Sequence, residues 1–103
     1  MNKTEADFEL LLYAMKSKGE ISDYAFEPFK LRLGSDWKTS WTPDFAIQHL
    51  DGTIELVDVK GGGGVEQHTA VKAKVAARLF PCFSFSYYHR KSAKAAFVRE
   101  EIQ

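Results

Sequence analysis

Four residues in the middle of the chain have the types and spacing to carry chemistry: Pro43, Asp44, Asp58 and Lys60. A carboxylate on each of two neighbouring strands, with a lysine just beyond the second, makes a compact polar site when all three side chains share one face of a sheet. Alternate residues of a strand share a face, so Asp58 and Lys60 point the same way, with Ile54 and Leu56. Asp44 joins them only across a hairpin loop of odd length. A loop of Leu50, Asp51 and Gly52, with Gly52 in the left-handed position of a bulge, pairs His49 with Thr53 and therefore Asp44 with Asp58. A tighter Asp51-Gly52 turn pairs Asp44 with Val59 instead and sends the aspartates to opposite faces.

Carboxylates directly opposite one another, roughly 5 Å apart across a ladder, repel each other, and a bound cation removes that penalty. Oxygen ligands suit Mg²⁺ or Mn²⁺, and magnesium commonly takes one or two carboxylates, keeps waters and fills its remaining positions with phosphate oxygens. The chemistry this predicts is phosphodiester hydrolysis. The metal lowers the pKa of its water and neutralises charge on the phosphate, while Lys60 orients that water or stabilises the developing negative charge. The structural alternative for Asp58, flanked by Val57 and Val59, is a pair with Lys60 or Arg78, because an unpaired carboxylate there is costly.

The elements that must position these groups are legible from periodicity. Phe8, Leu11, Leu12 and Met15 recur at helical spacing between Asn2 and Lys18, with Gly19 as the stop and Asn2 with Glu5 as a capping box. Tyr24 to Leu33 reads as a strand that is bent or lies at an edge because of Pro28. Trp41 to His49 and Thr53 to Lys60 form the hairpin. After the glycines Gly61 to Gly64, a flexible connection rather than a phosphate-cradling loop, Val71, Val75 and Leu79 mark a second helix over 65–80 that Pro81 ends. Phe83, Phe85 and Tyr87 alternate with other residues as a fourth strand, reached by a helical crossover and so expected to be parallel to the third. Ser92 is placed to cap a short C-terminal helix carrying Ala95, Ala96 and Phe97.

The 103 residues, 45% hydrophobic and 27% charged, suit one small domain over 1–103. Basic and acidic side chains cancel at 14 each, but not evenly along the chain. Residues 1–58 carry a net −5 and residues 59–99 a net +7, an asymmetry expected of a polyanion-binding surface. Lys72, Lys74 and Arg78 lie on the second helix, and Arg90 and Lys91 follow the aromatic pair Tyr87-Tyr88; these are the candidate phosphate contacts. Cys82 is the single cysteine, which excludes an internal disulfide and suits a reducing, intracellular setting. No apolar run approaches a membrane span, so no membrane partner is expected.

Thr42-Pro43-Asp44-Phe45 followed by Glu55-Leu56-Val57-Asp58-Val59-Lys60-Gly61 resembles the signature of the PD-(D/E)XK nuclease superfamily, especially its small phage-encoded endonucleases. Lys3-Thr4-Glu5-Ala6 resembles the leading helix of those enzymes, whose glutamate completes the metal site, and Gly19-Glu20-Ile21 follows as it often does there. Lys72-Ala73-Lys74 resembles a basic segment common in the phage group, and Gln67 resembles a glutamine of the related virus-type replication and repair nucleases. The resemblance covers Lys3 to about Tyr88. It implies an α/β fold with a mixed, mostly four-stranded sheet flanked by helices, in the order α-β-β-β-α-β of a restriction-endonuclease-like core. It further implies Asp44, Asp58, the Val59 carbonyl and Glu5 as metal ligands, Lys60 as the catalytic lysine, and a Mg²⁺-dependent DNA endonuclease in which Mn²⁺ substitutes. Small members of the superfamily often cut branched DNA as homodimers, so a Holliday-junction resolvase is an alternative, as is a non-catalytic nuclease-like DNA-binding module. The expected location is the cytoplasm, including that of a phage-infected host.

Overall fold

A computed structural model describes residues 1–34, 39–61 and 67–102. The helix α1 (Lys3–Ser17) begins at a complete capping box: the Glu5 amide donates to the Asn2 side chain at 2.8 Å, and the Asn2 amide donates to the Glu5 carboxylate at 2.8 Å. The strands β1 (Asp23–Phe26), β4 (Phe45–Gln48), β5 (Ile54–Lys60), β6 (Ser84–His89) and β7 (Val98–Glu101) form one mixed sheet in the order β1-β4-β5-β6-β7. β2 (Leu31–Arg32) and β3 (Ser40–Trp41) pair as a separate ribbon, and α2 (Gln67–Leu79) connects β5 to β6. Among the described residues no helix is long and apolar enough to cross a membrane.

The central sheet therefore has five strands rather than four, and three local causes account for the differences. The segment 24–33 divides because Glu27 takes a left-handed backbone, φ 43°, just before Pro28, which has no amide to donate to a ladder. Pro43 similarly breaks 41–49 into β3 and β4, which join different sheets. The expected C-terminal helix is a strand: Ser92 closes only a turn, its carbonyl accepting from the Ala95 amide at 3.1 Å, and Val98–Glu101 then pairs antiparallel with β6. The edge of β6 offers this segment a ladder of backbone hydrogen bonds, which the strand takes up.

The sheet buries both faces. Against α1 lie Phe8, Leu12, Ile21, Phe45, Ile47, Val57 and Val59, with Phe8 in aromatic contact with Phe45, Tyr88 and Phe97. Against α2 and the ribbon lie Leu31, Trp41, Leu56, Ala73, Ala76, Phe85, Tyr87 and Ile102. The inward face of α2 is thus made of alanines, and Val71, Val75 and Leu79 are exposed. Small side chains let this helix lie close over the sheet, a packing consequence that hydrophobic periodicity reads the other way round.

Candidate active site

The β4–β5 hairpin closes through Leu50, Asp51 and Gly52. The His49 amide donates to the Thr53 carbonyl at 2.9 Å, the Gly52 amide donates to the His49 carbonyl at 3.0 Å, and Gly52 takes φ 91°, a conformation glycine adopts without strain. Asp51 holds the turn by accepting from both the amide and the hydroxyl of Thr53. The register that follows pairs Phe45 with Val57 and Gln48 with Ile54, so its continuation sets Asp44 opposite Asp58. This is the odd-loop arrangement, and both carboxylates meet.

They meet through hydrogen bonds as well as register. The Asp44 amide donates to Asp58 Oδ1 at 3.4 Å, and the Val59 amide donates to Asp44 Oδ2 at 2.8 Å. Trp41 Nε1 donates to Asp58 Oδ2 at 3.2 Å. Asp58 is only 2% exposed. A cleft of about 290 Å³ is lined by Asp44, Asp58, Lys60 and Lys72 together with Ser40, Trp41 and Thr42. Lys60 and Asp58 thus open into one space, which Lys72 of α2 also lines.

Burial dominates the electrostatics. It pushes the Asp44 carboxyl up to about 7; the Val59 amide opposes the rise, the negative charges of Asp58 and Glu5 add to it, and Lys60 opposes it. Burial likewise raises Asp58 against the charge of Lys60 and the donors Trp41 and Asp44, with Glu5 again adding. Two carboxyls that resist ionising together are a hard-oxygen pair whose mutual repulsion a divalent ion would offset.

Glu5 stands at the edge of this arrangement. A methyl group at Gly61, just past the end of β5, would come within 2.9 Å of Thr4 Oγ1, so the first turn of α1 abuts the strand that carries Asp58 and Lys60. The Glu5 carboxylate itself accepts from the Asn2 amide, and its charge acts on both aspartates. Among the described residues no group of three or more His, Cys, Asp or Glu side chains is gathered closely enough to hold a metal. The structure therefore brings Asp44 and Asp58 together and keeps Glu5 at the helix cap.

The basic candidates separate into three groups. Lys72 lines the cleft, whereas Lys74 and Arg78 line a different depression with Val71 and Val75. Lys91 is exposed, and the parallel pairing of Lys60 with His89 puts the chain after β6 at the same end of the sheet as the cleft. Arg90 corrects an expectation: it is 7% exposed, bonded to Asp7 at 2.8 Å and stacked over Phe97 at 4.7 Å. Its guanidinium ties α1 to the end of β6, and it holds the Asp7 carboxyl below the usual range. The side chain of Gln67 and the residues Gly62 to Gly64 lie outside the described part.

Two features escape inspection of the sequence. Trp41 is one; the only signal is that a buried Asp58 needs donors and that an indole precedes Pro43-Asp44 on the neighbouring strand. The other is Glu55, 3% exposed, which accepts from Ser86 Oγ and from Arg99 Nε at 2.8 Å and meets His49 Nε2 at 2.7 Å. Burial pushes Glu55 up, yet the bonds from Ser86, Arg99 and His49 outweigh it and hold the carboxyl below its ordinary value. It ties β4, β5, β6 and β7 together away from the cleft.

No family model and no curated protein matches the sequence. Among solved structures, one titled "Crystal structure of SSO0001" is similar over 95% of this chain at 15% identity, with a TM-score of 0.51. That likeness concerns the fold alone. The chain spans 50% of the length of that structure.

Proposed function

We propose that the chain is a Mg²⁺-dependent DNA endonuclease of the PD-(D/E)XK type. The observation that carries this reading is the junction of Asp44 and Asp58 across the hairpin, with Lys60 and Lys72 opening into the same cleft. Asp44, Asp58 and the Val59 carbonyl would hold the cation, a hard-oxygen set that suits magnesium or manganese. When bound, the ion supplies an activated water and neutralises charge on the scissile phosphate. Glu5 adds negative charge from the first turn of α1 and so favours a cation at the aspartates. Lys60, on the Asp58 face, would orient the attacking water and meet negative charge developing on phosphorus-bound oxygen. Lys72, which lines the same cleft, would hold a phosphate of the DNA backbone, with Lys91 extending the cationic surface at the same end.

The test is a cleavage panel. Purified protein is incubated with single-stranded, duplex, flap and four-way DNA, with Mg²⁺ or with EDTA. New ends that appear only with Mg²⁺, and not with Asp58→Ala, are expected. Binding without cutting on all four substrates would reject an enzyme in favour of a DNA-binding module, and cutting confined to four-way DNA would make it a junction resolvase.

A further inference from the structure

Asp58 is a buried charge that receives one donor on each oxygen among the described residues, and both donors come from the same short segment. The Trp41 indole takes Oδ2 at 3.2 Å, and the Asp44 amide takes Oδ1 at 3.4 Å. Between them lies Pro43, itself fully buried, which fixes the backbone torsion of the link. Trp41-Thr42-Pro43-Asp44 therefore delivers one carboxylate to the site and clamps the other from both sides. We propose that Trp41 is a positioning residue of the metal site: its indole N–H fixes the rotation of the Asp58 carboxylate so that the remaining lone pairs face Asp44 and the cation.

The indole is suited to this and to little else. It is a donor only, so it neither competes for the cation nor exchanges protons with water or substrate. Its ring is 6% exposed, lies 5.7 Å from the Phe85 ring, and belongs to the core formed with Leu31, Leu56, Ala73 and Ala76. The pairing of Leu31 with Trp41 anchors it from the other side. Packing thus holds the donor still, as a partner that orients a metal-ligating carboxylate must be held. The ribbon of β2 and β3 gains a purpose from this: it carries the donor to a point that the main sheet's own strands leave open.

The inference rests on the metal-site reading above, and its test separates the two. Mn²⁺ binding is measured by electron paramagnetic resonance for the wild type, Trp41→Phe and Asp58→Asn, and the Mg²⁺ dependence of cleavage is measured alongside. Trp41→Phe keeps an aromatic ring and deletes the donor. The expected result is Mn²⁺ affinity weakened about tenfold, a matching rise in the Mg²⁺ concentration for half-maximal cleavage, and a kcat at saturating Mg²⁺ within about threefold of the wild type. A merely structural role would lower the unfolding temperature without moving the metal dependence. Unchanged Mn²⁺ affinity in Trp41→Phe, with loss in Asp58→Asn, would overturn the role of Trp41 alone. Absence of Mn²⁺ binding in the wild type, or full binding in Asp58→Asn, would overturn the metal site and this role with it. Should Trp41→Phe fail to fold, Trp37→Phe leaves Trp41 as the sole indole of the two. Its fluorescence should then be quenched by Mn²⁺ with the midpoint given by resonance, and bound Mn²⁺ without quenching would overturn the proposal.

Discussion

Asp44→Asn should make the metal-free protein more stable at pH 8 while destroying its metal site. The folded chain holds the Asp44 proton up to about 7, against an ordinary value of 3.8. Between about pH 4 and pH 7 the folded state therefore retains a proton that the unfolded chain has lost, so this group's contribution to stability declines as pH rises through that window. At 1.36 kcal/mol per pH unit, ionising the folded carboxyl at pH 8 costs up to about 4 kcal/mol. Asp44 keeps partial access to water, and screening there reduces the figure to about 2 kcal/mol. Asp58, raised in the same direction, adds to the slope and does not reverse it. An asparagine keeps an acceptor for the Val59 amide and presents a neutral donor to Asp58. For a domain of this size the gain corresponds to a rise of roughly 10 °C in unfolding temperature at pH 8. The assay is thermal unfolding in EDTA between pH 4 and pH 9, repeated with Mg²⁺. The difference between variant and wild type should shrink towards zero near pH 4, and Mg²⁺ should stabilise only the wild type. A variant no more stable than the wild type at pH 8, or a wild type whose stability is flat from pH 5 to pH 8, would refute the reasoning.

Two other perturbations separate chemistry from architecture. Lys60→Met should lower cleavage by at least about 100-fold while leaving Mn²⁺ affinity within about threefold, since the lysine acts on water and phosphate and not as a ligand; single-turnover cleavage together with Mn²⁺ titration checks both. Glu55→Gln should cost about 2–3 kcal/mol in urea unfolding at pH 7, because Ser86, Arg99 and His49 lose a charged acceptor in a buried setting. The loss should fade as pH falls below the ordinary carboxylate range, where the lowered Glu55 is protonated in both states and its contribution has gone.

How much of this was written in the residues can be argued element by element. The Asp51-Gly52 pair marks the turn, and of the two loop lengths it allows only the three-residue one, Leu50 to Gly52, makes the meeting of Asp44 and Asp58 follow by counting. The capping box at Asn2 and Glu5 and the parallel crossover to β6 are equally local signals. What was not legible depends on partners distant in sequence. Arg90 reads as a surface cation until Asp7 and Phe97 are brought to it by the packing of α1. Val71, Val75 and Leu79 read as the inner face of α2, yet Ala73 and Ala76 are the residues that pack inside. Pro28 announces an interruption and Trp41 to His49 reads as one run across Pro43, yet neither says that Leu31–Arg32 and Ser40–Trp41 pair into a ribbon, and the ribbon is what brings Trp41 to Asp58.

The central claim, that Asp44 and Asp58 jointly hold one divalent ion, is tested most directly by crystals soaked in Mn²⁺ and measured at the manganese absorption edge. The account predicts a single strong anomalous peak in the cleft, about 2.2 Å from an oxygen of each aspartate and from the Val59 carbonyl. A peak bound to one aspartate alone, or manganese located only outside the cleft, would contradict it.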